Sequence, residues 1–158
     1  MAGYGTNEGF TAYATAAGYT VPAGDIGAAR QRGSTYVDGT YGARFSGLPT
    51  GGVEQERAWP RTGATAYGSA LASDIIPVRV VNASYEAALL ELQSPGSLSA
   101  VVSGSSLVKR EKVEGAVEVE YAVSDKTDLA VAARPLVSVI DGMLAPLLTV
   151  ALPGILVV

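Results

Sequence analysis

Apolar positions recur at helical spacing in four stretches of the chain and alternate strictly in one. Phe10, Tyr13 (or Ala14) and Ala17 share one face of a helix that Thr6 caps and Gly18 stops. A second helix starts near Asp25, with Ile26, Ala29, Gly33, Val37 and Tyr41 on one face and Arg30, Arg32, Asp38 and Arg44 mostly elsewhere. Gly33, Gly39 and Gly42 each weaken it by about 1 kcal/mol relative to alanine. Glycine on a helix face lets a neighbouring backbone come close, within the chain or between subunits. The third helix is the clearest. Asp74-Ile75-Ile76-Pro77 opens it, and Pro77 suits a first helical turn. Val78, Val81, Tyr85, Ala88 (or Leu89) and Leu92 form its apolar stripe, with Arg79, Asn82 and Glu86 opposite, and Ser94-Pro95-Gly96 ends it. A last helix opens at Pro135 and runs to about Leu148, with Leu136, Val139 (or Ile140), Met143 and Leu147 on its apolar side. Pro146 should kink or stop it.

The segment from Phe45 to Ser73 reads as loop, punctuated by Leu48-Pro49-Thr50-Gly51-Gly52. It carries Gln55-Glu56-Arg57-Ala58-Trp59-Pro60-Arg61, with the chain's one tryptophan. The residue before proline avoids the α region, so Trp59 is expected to be extended. Such a tryptophan plugs one side of a core or anchors an interface. After a Ser/Gly-rich connection from Ser94 to Ser106, alternation around Glu114-Gly115 predicts a β-hairpin over residues 107–123. Lys109, Arg110 and Lys112 on one strand and Glu118 and Glu120 on the other would fix its register. A two-stranded hairpin alone is marginal in water. This one should rest on the helices or on a neighbouring subunit.

These elements predict a mainly α fold: a small helical bundle with an inserted β-hairpin and an extended apolar C-terminal arm. At 158 residues the chain is one domain by length, with a helical core over 1–93 and the final helix and arm over 134–158. Hydrophobic residues make up 48%, but much of that is alanine and 19 residues are glycine, so less apolar volume is packed than the percentage suggests. Stability is therefore expected to lean on neighbours.

From Thr149 to Val158 there is no charged side chain. Left exposed, that run is an aggregation hazard. Burying each large aliphatic side chain contributes about 1.5–3 kcal/mol. It either folds back on its own helices or docks on another protein, and docking is the preferred reading. A membrane span is not expected, because it needs about 20 mostly apolar residues in regular conformation. Asp141, Gly142, Pro146 and Pro153-Gly154 interrupt the run. MAGYGTNEGF has no basic region and no long apolar run, so it is not a secretory signal.

With no cysteine and no histidine, the chain lacks disulfides, Cys/His metal sites, thiol nucleophiles and an imidazole base. A serine triad of the usual kind cannot form. No phosphate loop, dinucleotide fingerprint or nucleophile elbow occurs, and the acidic residues of 111–128 fit no calcium-loop spacing. No catalytic, cofactor or metal role is expected. The net charge of −4 opposes a broad nucleic-acid footprint. Arg57 and Arg61 flanking Trp59 do make a candidate stacking platform for single-stranded DNA, with Glu54 and Glu56 beside it.

The order of these features resembles the head–tail connector adaptors of long-tailed phages and of phage-derived gene transfer elements. Many of those carry the label DnaT-like single-stranded DNA-binding protein. The resemblance rests on Gln55-x-x-Ala58-Trp59-Pro60-Arg61, on Asp74-Ile75-Ile76-Pro77 opening a helix with Val81, Tyr85, Glu86 and Ala88, on strands ending Val119-Glu120-Tyr121, and on a final helix with Val137 to Leu144. It implies a structural virion protein at the neck, assembled in the host cytoplasm into a ring, often of about twelve copies. That ring sits beneath the portal and meets the stopper or tail terminator, with DNA passing through its channel without specific binding. On this reading Arg57, Trp59, Pro60 and Arg61 shape the loop and the subunit contact. Leu136, Ile140, Leu144, Leu147, Leu152, Ile155, Leu156, Val157 and Val158 form the portal-docking arm. The alternative function is a single-stranded DNA-binding module built on Trp59.

Overall fold

A computed structural model describes residues 2–99, 111–112, 118–119 and 138–149. The fold is mainly helical. Thr6 caps α1 (Asn7–Ala16) by accepting from the Gly9 amide at 3.0 Å. Gly18, at φ +77°, closes it: the Gly18 and Tyr19 amides donate to the Thr15 and Ala14 carbonyls. This is the left-handed helix stop that glycine permits. Asp25 caps α2 (Ile26–Tyr41) by accepting from Ala28 N–H at 2.9 Å. Pro77 precedes α3 (Val78–Gln93), and its carbonyl accepts from the Val80 and Val81 amides. Helix α4 (Ser138–Leu144) tightens into a 3-10 turn over Ala145–Leu147, with Pro146 inside that turn.

Helices α2 and α3 share the most extensive interface of the fold, and α1 and α4 pack against α3. Gly33 makes the central contact possible. A Cβ placed there would lie 2.5 Å from the Ser84 carbonyl oxygen and 2.7 Å from the Ala88 amide nitrogen. The close approach expected of a helix-face glycine is thus made inside the chain. One core cluster joins Val37 and Tyr41 of α2, Val80, Ala83 and Ala87 of α3, and Ile140 and Leu144 of α4, with Tyr4, Phe45, Trp59 and Leu147. A smaller one joins Phe10 of α1 and Ala29 of α2 to Tyr85, Ala88 and Leu89 of α3.

The α3 stripe differs from its expected face. Val78 is 71% exposed, while Val80, Ala83 and Ala87 are buried. Glu86, assigned to the polar side, is also buried. The reason is that α3 has neighbours on several sides, so no single stripe describes it. Its buried carboxylates are satisfied. Glu86 accepts from the Tyr13 hydroxyl at 2.6 Å, and Glu91 pairs with Arg32 at 2.8 Å while accepting from the Gly96 amide.

The loop read over Phe45–Ser73 contains two short antiparallel ladders. β1 (Leu48–Pro49) pairs with β2 (Arg61–Thr62), and β3 (Thr65–Ala66) pairs with β4 (Ser69–Ala70). The segment Phe45 to Ser46 also meets the end of the final helix. Phe45 bridges Leu148, and Thr149 donates to the Arg44 carbonyl through both its amide and its hydroxyl.

The chain divides into two compact units, Met1–Leu98 with Val137–Val158, and Ser99–Leu136. Within the second, β5 (Glu111–Lys112) pairs antiparallel with β6 (Glu118–Val119), and Lys112 stands opposite Glu118. That is the strand pair predicted within 107–123, in a register that sets a cation across from an anion. The rest of the predicted hairpin, including Lys109, Arg110 and Glu120, lies outside the described residues. Among the described residues, no helix is long and apolar enough to cross a membrane.

Candidate functional site

The four residues of the loop motif come together, but they face inward. Trp59 is 1% exposed and packs edge-on against Phe45, ring centroids 5.5 Å apart. The Trp59-Pro60 peptide is cis. Of the two roles open to this tryptophan, the structure uses core plug. A buried ring cannot stack on a nucleobase, so the single-stranded DNA platform drawn around Trp59 is not present.

Arg61 is 5% exposed and pairs with no carboxylate among the described residues. It gathers four backbone carbonyls instead. Nε donates to Ser46 at 2.8 Å, Nη1 to Ala58 at 3.1 Å, and Nη2 to Phe45 at 3.3 Å and to Gly47 at 2.6 Å. Its guanidinium carbon lies 5.9 Å from the centre of the Phe45 ring. Burial lowers its pKa from the ordinary arginine value, and arginine stays charged at neutral pH. Only a planar fork of donors reaches carbonyls on several sides at once. Arg61 is therefore the clamp that holds Phe45–Gly47 against Ala58.

Gln55, part of the motif but given no role by sequence, completes the lock. Its Nε2 donates to the Arg57 and Pro60 carbonyls at 2.7 and 3.0 Å, and its Oε1 accepts from the Gly51 amide at 2.8 Å. Arg57 reaches the other way. It donates to the Ala2 carbonyl at 3.0 Å and pairs with Asp38 of α2 at 3.2 Å. Tyr4 closes the network: its hydroxyl donates to Asp38 and accepts from Trp59 N–H at 3.2 Å. Burial pushes the Asp38 carboxyl above the usual aspartate range, opposed by its bonds to Tyr4 and Arg57. Burial, then the Asp38 carboxylate, pushes the Tyr4 phenol well up.

The N-terminal strap is part of this site as well. Arg30 of α2 holds it, donating to the Tyr4 carbonyl at 2.9 Å, to the Gly5 carbonyl, and to Asn7 Oδ1 at 2.6 Å. The signal available in the sequence was a tyrosine between two glycines, Gly3-Tyr4-Gly5, close to the start of α1. An open recess of about 510 Å³ lies beside this strap, lined by Thr6, Glu8 and Arg30 among others.

The docking-arm residues divide. Ile140, Leu144 and Leu147 are at most 1% exposed and fill the core. Their apolar side is used within their own chain, which corrects their assignment to a free arm. Leu136, Leu152, Ile155, Leu156, Val157 and Val158 lie outside the described residues.

Most of the described arginines are committed within the fold. Arg30, Arg57 and Arg61 bond inside it, Arg32 pairs with Glu91, and Arg44 sits over the buried Tyr41 ring. Arg79 lies 5.6 Å from the centre of the Tyr67 ring, and Tyr67 is 75% exposed. No cluster of His, Asp or Glu among the described residues has the arrangement of a metal site.

A family described as "Putative DnaT-like ssDNA binding protein" matches residues 2–156. The chain belongs to this family. Nothing matches it among curated proteins or among solved structures at a significant level. For this DnaT-like family member, the loop that carries the sequence resemblance is a device that fixes the fold.

Proposed function

We propose that this DnaT-like protein is a structural component of a virion: a head–tail connector adaptor. It forms a ring beneath the portal, joins the head to a stopper or tail terminator, and lets DNA pass without specific binding. It has no catalytic role. The observation that carries this reading is the inward use of the Trp-Pro-Arg loop. The motif's aromatic and its clamp cation serve the interior, while large apolar side chains face outward at Tyr67 and Val78. The run after Thr149 is uncharged. A scaffold that offers apolar contacts and, among the described residues, commits most of its arginines internally suits assembly better than phosphate binding.

Co-expression with the portal protein encoded near it, followed by particle imaging, tests the proposal. A ring stacked on the portal supports it. Because Ile140, Leu144 and Leu147 are core residues, the docking arm is tested by truncation after Thr149. Deleting everything after Ala133 would unfold the chain. If the shorter truncation leaves portal binding unchanged, the arm assignment fails.

The family description favours a second reading, single-stranded DNA binding. Its platform would be the exposed Tyr67–Arg79 pair. Salt-dependent oligonucleotide binding, lost in Tyr67→Ala and kept in a folded Trp59 variant, would support it.

A further inference from the structure

The Gln55–Arg61 motif also carries a loop, the stretch from Thr50 to Pro60 that joins β1 to β2. The Pro49–Arg61 pair closes its base, and the Thr50 amide donates to the Pro60 carbonyl at 3.1 Å. The Thr50 hydroxyl ties it to the Ser73 carbonyl at 2.7 Å. At the tip, Gly52, with φ +65°, opens a 3-10 turn over Gly52–Glu54. Gln55 braces that turn: its amide donates to the Gly52 carbonyl at 3.3 Å, and its Oε1 accepts from the Gly51 amide. Its Nε2 fastens the turn to the Arg57 and Pro60 carbonyls. The side chain held up by this bracing is Val53, which is 99% exposed. Glu54 and Glu56 beside it are exposed as well.

A lone exposed apolar side chain is ordinary on a protein surface. Val53 differs in what lies beneath it. The loop's backbone is tied at its base, at its side and across its turn, yet the residue so placed adds no burial to its own fold. A loop already ordered in the free protein loses less entropy when it docks. We infer that the tip 51–56 is a preformed key, which inserts Val53 into an apolar socket bordered by lysine or arginine on the stopper or tail-terminator protein.

The chemistry of the partner follows from charge. Two carboxylates flank the apolar tip, so a complementary socket carries cations at its border. Those carboxylates repel a phosphate backbone. A second copy of the chain, with a net charge of −4, is the poorer match. The inference rests on the adaptor reading above, which gives the uncharged run to the portal and leaves the opposite joint without a named contact.

The test measures binding of the full chain to the stopper or tail-terminator protein encoded near it, with and without the portal protein. Three variants are compared: Val53→Asp, the double reversal Glu54→Lys with Glu56→Lys, and Gln55→Ala, which keeps Val53 but frees the turn. Circular dichroism checks that each is folded, as expected for changes on an exposed loop. The parent should bind, more weakly as salt rises. Val53→Asp and the double reversal should each weaken binding at least about tenfold, and Gln55→Ala at least about threefold. Unchanged binding by Val53→Asp or by the double reversal overturns the inference while leaving the adaptor reading intact. Unchanged binding by Gln55→Ala overturns the preformed key. Loss of self-association or of portal binding in Val53→Asp, with stopper binding kept, assigns the tip to another partner and overturns the inference too. A parent chain that binds neither the stopper nor the portal sinks the inference together with the adaptor reading.

Discussion

Replacing Trp59 with alanine empties a site walled by Phe45 and the final helix, so the cost is set by cavity formation. About 3–5 kcal/mol is expected, read by chemical denaturation. Arg61→Lys tests the clamp. One ammonium cannot reach carbonyls on four residues, and charged hydrogen bonds of this kind contribute about 1.5–3 kcal/mol. A loss in that range is expected, whereas an unchanged midpoint would show that the carbonyls find other donors. Three phenols behave alike. Tyr4, Tyr13 and Tyr41 donate to Asp38, Glu86 and Asp141, and burial followed by those carboxylates raises each pKa well above the ordinary 10.0. The folded-state values are raised, so the stability they contribute is fully present below about pH 10 and is lost as pH rises beyond it. Tyrosinate absorbance should therefore show these three ionising together with the loss of helical circular dichroism. Their ionisation in a still-helical chain would contradict the assignment.

At the scale of elements, the α2–α3 contact makes two glycines of one helix behave oppositely. Gly33→Ala would push Cβ into the Ser84 carbonyl, and overpacking of this kind costs about 1–3 kcal/mol. Gly39 has nothing within 4 Å of a placed Cβ. Gly39→Ala should stabilise the same helix by roughly 0.5–1 kcal/mol. Thermal unfolding of the two variants checks both signs. Helices α1 and α2 were legible because each has a side-chain cap and a single buried face: Thr6 with Phe10, and Asp25 with Ala29, Gly33, Val37 and Tyr41. Helix α3 was legible in extent and misread in facing, since a helix packed on several sides buries Val80 and Glu86 together. Two-residue ladders such as Leu48–Pro49 with Arg61–Thr62 are too short to show any alternation. The motif Gln55 to Arg61 could be seen as unusual, but its inward direction could not. Arg61 bonds carbonyls 14–16 residues away, a pairing without a sequence period.

At the scale of the molecule, binding a polyanion and scaffolding an assembly make different demands on charge. Here Arg30, Arg57 and Arg61 serve as internal ties, while Tyr67 and Val78 stand exposed. On the adaptor reading proposed above, exposed apolar side chains and the uncharged run after Thr149 serve assembly at the neck. The most direct measurement is co-purification of the full chain with the neighbouring portal protein, followed by particle imaging. A ring of this chain stacked on the portal is the expected result. A stable monomer that ignores the portal and binds single-stranded DNA in a salt-dependent way would contradict it.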